Sequence, residues 1–191
     1  VQTTLLAIAI AIIVAIVAAL AAPLVVDWNH FRATFETEAS RFTGLRVHVN
    51  GAIDARILPS PRIKLRDVEI GAPDRAPLLR AGAIDLEVRL SPLIRGDVQA
   101  TQANLVAPQI DLELDRGGAV VLPAMAASAR PGELSVSKLS VDGGTITLAD
   151  AASGARLQLQ KLSFAGDVRS LLGPFQGQGS FVVGGESFSY R

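Results

Sequence analysis

The side chains that could carry chemistry are two histidines, 18 carboxylates and a scatter of serines, and there is no cysteine. A metal site needs His, Cys or carboxylate ligands that converge at recognisable spacing. His30 lies in an aromatic stretch and His48 in an alternating one, and neither has such neighbours. Each reads as a structural or solvated residue. The serines lack the setting of a nucleophile elbow, and Gly177-Gln178-Gly179 lacks the third glycine and the strand-to-helix context of a phosphate loop. Without cysteine, disulfides, thiolate metal sites and cysteine nucleophiles are excluded. The carboxylates alternate with apolar residues, as Asp85 and Glu87 do between Ile84, Leu86 and Val88, which is the pattern of a solvated sheet face. Lys plus Arg equals Asp plus Glu at 18 each, so no surplus charge marks a nucleic-acid surface. An enzyme is disfavoured, with no cofactor and no metal expected. Function must come from apolar surface and shape.

The segment that locates the rest is Leu5 to Val26, made only of Leu, Ile, Val, Ala and Pro23. As a helix it spans about 33 Å, close to the roughly 30 Å of a bilayer's hydrocarbon core. We expect residues 1–26 to be a single membrane-spanning anchor. A signal cut at Ala22 is the alternative, opposed by the apolar run continuing through Leu24-Val25-Val26. Ala7, Ala11, Ala15 and Ala19 recur every four residues, which reads either as a docking ridge for another membrane helix or as plain alanine abundance. Asp27 suits an N-cap, and Trp28, Phe31, Phe35, Ala39 and Phe42 then share one helical stripe that Gly44 ends. Residues 27–44 are thus a predicted amphipathic helix. Trp28, Phe31 and Phe35 either sit at the membrane interface or pack on the neighbouring fold, and the two can coexist.

From Leu45 the period becomes two. Ile84, Leu86, Val88 and Ile110, Leu112, Leu114 alternate with charged residues, predicting half-buried strands. A second pattern, apolar-x-apolar-x-x-apolar-x-apolar, occurs at Ile63 to Ile70, Val98 to Leu105, Leu134 to Val141 and Leu157 to Phe164. Its extra residue predicts β-bulges near Arg66-Asp67, Thr101-Gln102, Ser137-Lys138 and Gln160-Lys161. Turns are marked at Asp115-Arg116-Gly117-Gly118, Asp142-Gly143-Gly144, Ala152-Ser153-Gly154 and Gly184-Gly185, so hairpins and an antiparallel sheet of about twelve strands are expected. The β material divides into 45–121 and 133–191 around a Pro- and Ala-rich linker at 122–132. The final strand stops at Arg191 without a tail, as in a portion of a longer protein.

Three stretches carry a family resemblance. The apolar segment and Phe-bearing helix are followed by Thr43-Gly44-Leu45-Arg46-Val47-His48-Val49-Asn50-Gly51 and by Leu58-Pro59-Ser60-Pro61-Arg62-Ile63-Lys64-Leu65-Arg66-Asp67-Val68-Glu69-Ile70-Gly71. Next come Ser91 to Gly96 with Ala107 to Leu112, and then Leu134 to Tyr190 with Val141-Asp142-Gly143-Gly144 and Leu171 to Phe175. In this order they resemble the AsmA family. Ala119-Val120-Val121 departs from it, standing where relatives place a polar or Trp-containing turn, and the chain is shorter than most members. The resemblance implies a single-pass protein of the bacterial inner membrane with its body in the periplasm. It also implies kinship with TamB and chorein-type bridge proteins, and a role in lipid transport and outer-membrane biogenesis.

The expected fold is therefore mainly β: an anchor, a short helix, then a curved, twisted antiparallel sheet with one apolar face, either an open taco-like groove or a sealed core. Its groove candidates are Ile84, Leu86, Val88, Ile110, Leu112, Leu114, Ile146 and Leu148. Phospholipid acyl chains and the membrane are the expected partners, with other envelope proteins possible and nucleic acid not. The rival reading is a scaffold or assembly factor that binds proteins through its sheet edges.

Overall fold

The computed structural model describes residues 2–25, 27–56, 60–73, 75–89, 100–121, 136–168 and 175–191. Helix-favouring Ala and Leu and the absence of polar competitors build α1 (Gln2–Val25). Its described aliphatic side chains, from Leu5 to Val17, are 53–63% exposed and lie all around the helix. Among the described residues, no helix is long and apolar enough to cross a membrane. Described side chains in the apolar part of α1 run only from Thr4 to Ala15, with Val17, or about 20 Å of helix.

Asp27 caps as expected, accepting a hydrogen bond from the Asn29 backbone N–H at 3.0 Å. That bond and the Asn29 side chain hold its carboxyl below the usual aspartate value, the side chain being the larger cause. The expected single helix is a 3-10 turn, Trp28–Phe31, followed by α2 (Arg32–Thr43). Gly44 ends it at φ +70°, a left-handed conformation that favours glycine, with its N–H donating to Ser40 O at 2.9 Å.

Eleven strands form one sheet among the described residues. They are β1 (Arg46–Val49), β2 (Ile53–Arg56), β3 (Arg62–Gly71), β4 (Leu79–Val88), β5 (Ala100–Val106), β6 (Gln109–Leu114), β7 (Val120–Val121), β8 (Val136–Asp150), β9 (Arg156–Val168), β10 (Phe175–Val183) and β11 (Glu186–Tyr190). The order across the sheet is β1-β3-β4-β5-β8-β9-β10-β11. β2 lies beyond β1 along the same side of β3, β6 bridges β4 and β8, and β7 pairs with β6.

Two expectations are corrected. The sheet is mixed, not antiparallel, because β8 runs parallel to both β5 and β6. Alternation reports which face a side chain takes and is silent on strand direction, and the connection into β8 falls in 122–135, outside the described residues. Asp142-Gly143-Gly144 is not a hairpin turn. It lies inside the 15-residue β8, where Gly143 takes φ +67° and kinks a continuous strand. The same Asp-Gly-Gly signal serves a bulge here because positive φ is needed in either case. The other three marked turns do join hairpin strands, β6–β7, β8–β9 and β10–β11.

The bulges at three sites appear as register shifts. Thr101 is the extra residue between the pairs Glu87–Gln102 and Val88–Ala100. Ser137 and Lys138 lie between Val136–Val168 and Leu139–Gly166, and Gln160 and Lys161 between Gly144–Leu162 and Ile146–Leu159. At Arg66-Asp67 the register against β4 is unbroken, and the irregularity is Asp67 at φ +49°, facing the bend that separates β1 from β2. Residues 57–59, 90–99 and 169–174 hold parts of expected turns, including Ser91 to Gly96 and Leu171 to Gly173, and lie outside the described residues.

Candidate functional site

The irregularities of neighbouring strands fall on one line. Asp67 of β3 stands opposite Gly82 of β4, which faces Ala107 between β5 and β6, which lies beside Gly143 of β8, and Lys161 of β9 follows just past the Gly144–Leu162 pair. Asp67, Ala107, Gly143 and Lys161 all have positive φ, at 49°, 47°, 67° and 51°. Register is kept on both sides of this line between β3 and β4, between β4 and the β5–β6 pair, and between that pair and β8. A side chain that would have changed faces is thereby returned to the original one.

The apolar rows on that face follow from the pairing, since directly opposed residues point to the same side. On one side of the line runs Leu65–Ile84–Leu105–Val141–Phe164. On the other runs Ile70–Leu79–Ile110–Ile146–Leu159. Between them lie Val68, Ala81, Pro108 and Gly144, all buried, whereas Asp67, Gly82, Ala107, Asp142, Gly143 and Lys161 on the opposite face are exposed. Small or compact residues therefore run along this line on the apolar face, with larger apolar ones in a row on either side. A Cβ added to Gly144 would stand 3.1 Å from Val141 Cγ1, 3.2 Å from Pro108 Cγ and 3.3 Å from Leu162 Cβ. Further along, the Phe164 ring lies over the opposed pair Gly166 and Gly177, where a Cβ on Gly177 would meet its Cε2 at 2.5 Å.

α2 covers one end of this trough. Val47, Val49, Ile53, Leu65, Val68, Ala81 and Ile84 form the buried cluster, and Trp28, Phe35 and Ala39 pack against it. Phe31 is turned away, 55% exposed, its ring centroid 6.2 Å from that of Trp28. From β5 to β10 the apolar face has no such cover among the described residues, and Ile110, Leu112, Ile146, Leu148, Leu159 and Phe164 are half-buried.

The eight groove candidates thus fall in different settings. Ile84 and Val88 are buried, at 8% and 6% exposure, and Leu86 packs beside the buried cluster. Ile110–Ile146 and Leu112–Leu148 are direct pairs, and Leu114 is half-buried at the end of β6 opposite Asp150. Leu79, Leu105, Val141, Leu159, Leu162 and Phe164 join the same face and were not among the candidates. The apolar-x-apolar-x-x repeat already contained five of these six, and its phase change signals that both halves line one face. Ala7, Ala11 and Ala15 are exposed on α1, and Ala19 lies on the same helix.

The other face is polar. Arg62 pairs with Glu87 at 3.1 Å and Asp85 at 3.7 Å, and Arg80 pairs with Asp111 at 3.4 Å and Glu69 at 3.8 Å. A hollow of about 500 Å³ there is bordered by Arg62, Asp85, Asn104, Lys138, Ser140 and Asp167. His30 stands 3.8 Å from Asp27, and His48 Nδ1 is 3.0 Å from Glu36 Oε1.

A family model described as the AsmA family matches residues 2–183. No curated protein matches the chain.

Proposed function

The chain belongs to the AsmA family, and on that premise we propose that it is an inner-membrane-anchored periplasmic protein whose apolar trough receives phospholipid acyl chains. Membership points to a protein of the cell envelope connected with outer-membrane assembly. The observation that carries the finer reading is the continuity of half-buried apolar rows from β5 to β9 beyond the reach of α2. A closed sandwich would need a second layer over that face. Two half-buried apolar rows flanking the compact Ala81, Pro108 and Gly144 suit a flexible hydrocarbon chain instead.

Anchoring is supported by Leu5 to Val26 and by the aliphatic side chains of α1 standing exposed on all sides, an arrangement that water penalises and lipid does not. Phe31, exposed beside Trp28 just after the anchor, suits the headgroup region. Kinship with TamB and chorein-type bridges belongs to the same proposal. A photo-crosslinker at Leu112 in cells tests it. Recovery of phospholipid adducts is expected, and protein adducts alone, or none, would sink it.

One observation favours a second reading, an envelope scaffold. β11 is exposed along its whole length at the sheet's edge, with Phe188 at 43% and Tyr190 at 37% exposure. An edge of this kind can accept a strand from another protein.

A further inference from the structure

α2 does more than cover apolar side chains. Its polar residues, with Asn29 of the preceding turn, also satisfy the outward backbone groups of β1 and β2. Val47 N–H donates to Ser40 Oγ at 2.9 Å, Val49 N–H to Glu36 Oε1 at 2.7 Å and Ile53 N–H to Asn29 Oδ1 at 3.1 Å. Arg32 donates to Gly51 O at 2.8 Å and to Asn50 O at 3.3 Å across the bend. The bonds follow the helical rise along the strand edge, so that side chains at 29, 32, 36 and 40 replace the hydrogen bonds a neighbouring strand would make. His48 adds a contact to the same Glu36 carboxylate.

The same segment therefore closes both the hydrogen-bonding edge and the apolar face. Beneath it lie Val49 at 0% and Val68 at 1% exposure. Lifting α2 together with the preceding turn would uncover this cluster and free three backbone donors at once, a combination expected of global unfolding rather than of a local opening.

We infer that α2 is a fixed end-cap, and that acyl chains reach the trough through its open flank from β5 onward rather than by passing under a moving lid at the β1 end. The entry route rests on the acyl-chain reading; the fixed cap does not. It follows that the buried cluster of β1 to β4 is closed to acyl chains.

Hydrogen exchange on the full chain, in nanodiscs of phosphatidylethanolamine and phosphatidylglycerol, tests both parts. The Val47 and Val49 amides report on α2 directly, because each is held by one of its polar side chains, and the Ile53 amide reports on the turn before it through Asn29. The fixed cap predicts that they exchange within about threefold of the slowest β3 and β4 amides and do not change when lipid is supplied. Exchange more than about a hundredfold faster, or faster once lipid is supplied, would show a moving lid and overturn the inference. The acyl-chain reading fails separately, if lipid leaves the β6 and β8 amides unaltered while the cap amides stay protected.

Discussion

The β1–β4 end and the β5–β10 region are parts of one sheet with one alternating pattern, yet they finish in different states. At the first, Leu65, Val68 and Ile84 are sealed under Trp28, Phe35 and Ala39. At the second, Leu112, Ile146 and Leu148 have the same residue types and stay half-buried. Alternation separates a dry face from a wet one. What then decides between core and open surface is whether another element reaches across it, and α2 is long enough to cover only the first strands.

Truncation should separate the two regions most sharply. Ile84→Ala is expected to cost about 3 kcal/mol in urea unfolding, as for a buried large-to-small change. Leu112→Ala or Leu148→Ala should cost about 1 kcal/mol, since both side chains already meet solvent. Equal losses would erase the distinction and mean that the open region is packed by something else.

Filling the bottom of the trough comes next. Gly144→Val must push against Val141, Pro108 and Leu162, and a loss of about 1–3 kcal/mol is expected from overpacking. The same substitution should reduce lipid adducts at Leu112 if chains lie along the bend. Removing one polar contact of the cap, as in Ser40→Ala, deprives the Val47 N–H of its acceptor and should cost about 1 kcal/mol. Faster exchange of that amide, with Val49 and Ile53 unaffected, would localise the effect.

The bend gives a smaller effect of opposite sign. Lys161 is exposed and holds φ +51°, which costs a side-chain-bearing residue about 1 kcal/mol relative to glycine. Lys161→Gly should therefore be neutral or slightly stabilising, unlike a glycine placed elsewhere in a strand. Smallest is the pH effect at Asp27. Its folded carboxyl lies below the ordinary value, so its contribution is present above the unfolded pKa and is lost as pH falls through the folded one. Carboxyl NMR should find the Asp27 midpoint below the ordinary aspartate value, with the loss confined to pH below about 4.

Much of this organisation could be read from residue order. Asp27 and Gly44 bound the helical segment because capping and left-handed geometry are local demands, met by local residue types. Three bulges were visible as a break in phase, since an inserted residue must move side chains between faces whatever the strand pairs with. Direction was not visible. The parallel run of β8 beside β5 and β6 depends on the connection at 122–135, and no residue in a strand records which way its neighbour points. Asp142-Gly143-Gly144 misled for a related reason, because positive φ serves a turn and a kink equally. Of the groove candidates, Ile84 could not be told from Ile110 and Leu112, since its burial belongs to the cluster that Trp28, Phe35 and Ala39 pack against, and alternation does not record that packing.

The most direct test of the central claim is to place the same photo-crosslinker at Leu148 and at Ile84 and compare phospholipid recovered from cells. The open trough and fixed cap together predict adducts at Leu148 and none at Ile84. Equal recovery at the two positions, or none at Leu148, would contradict the account.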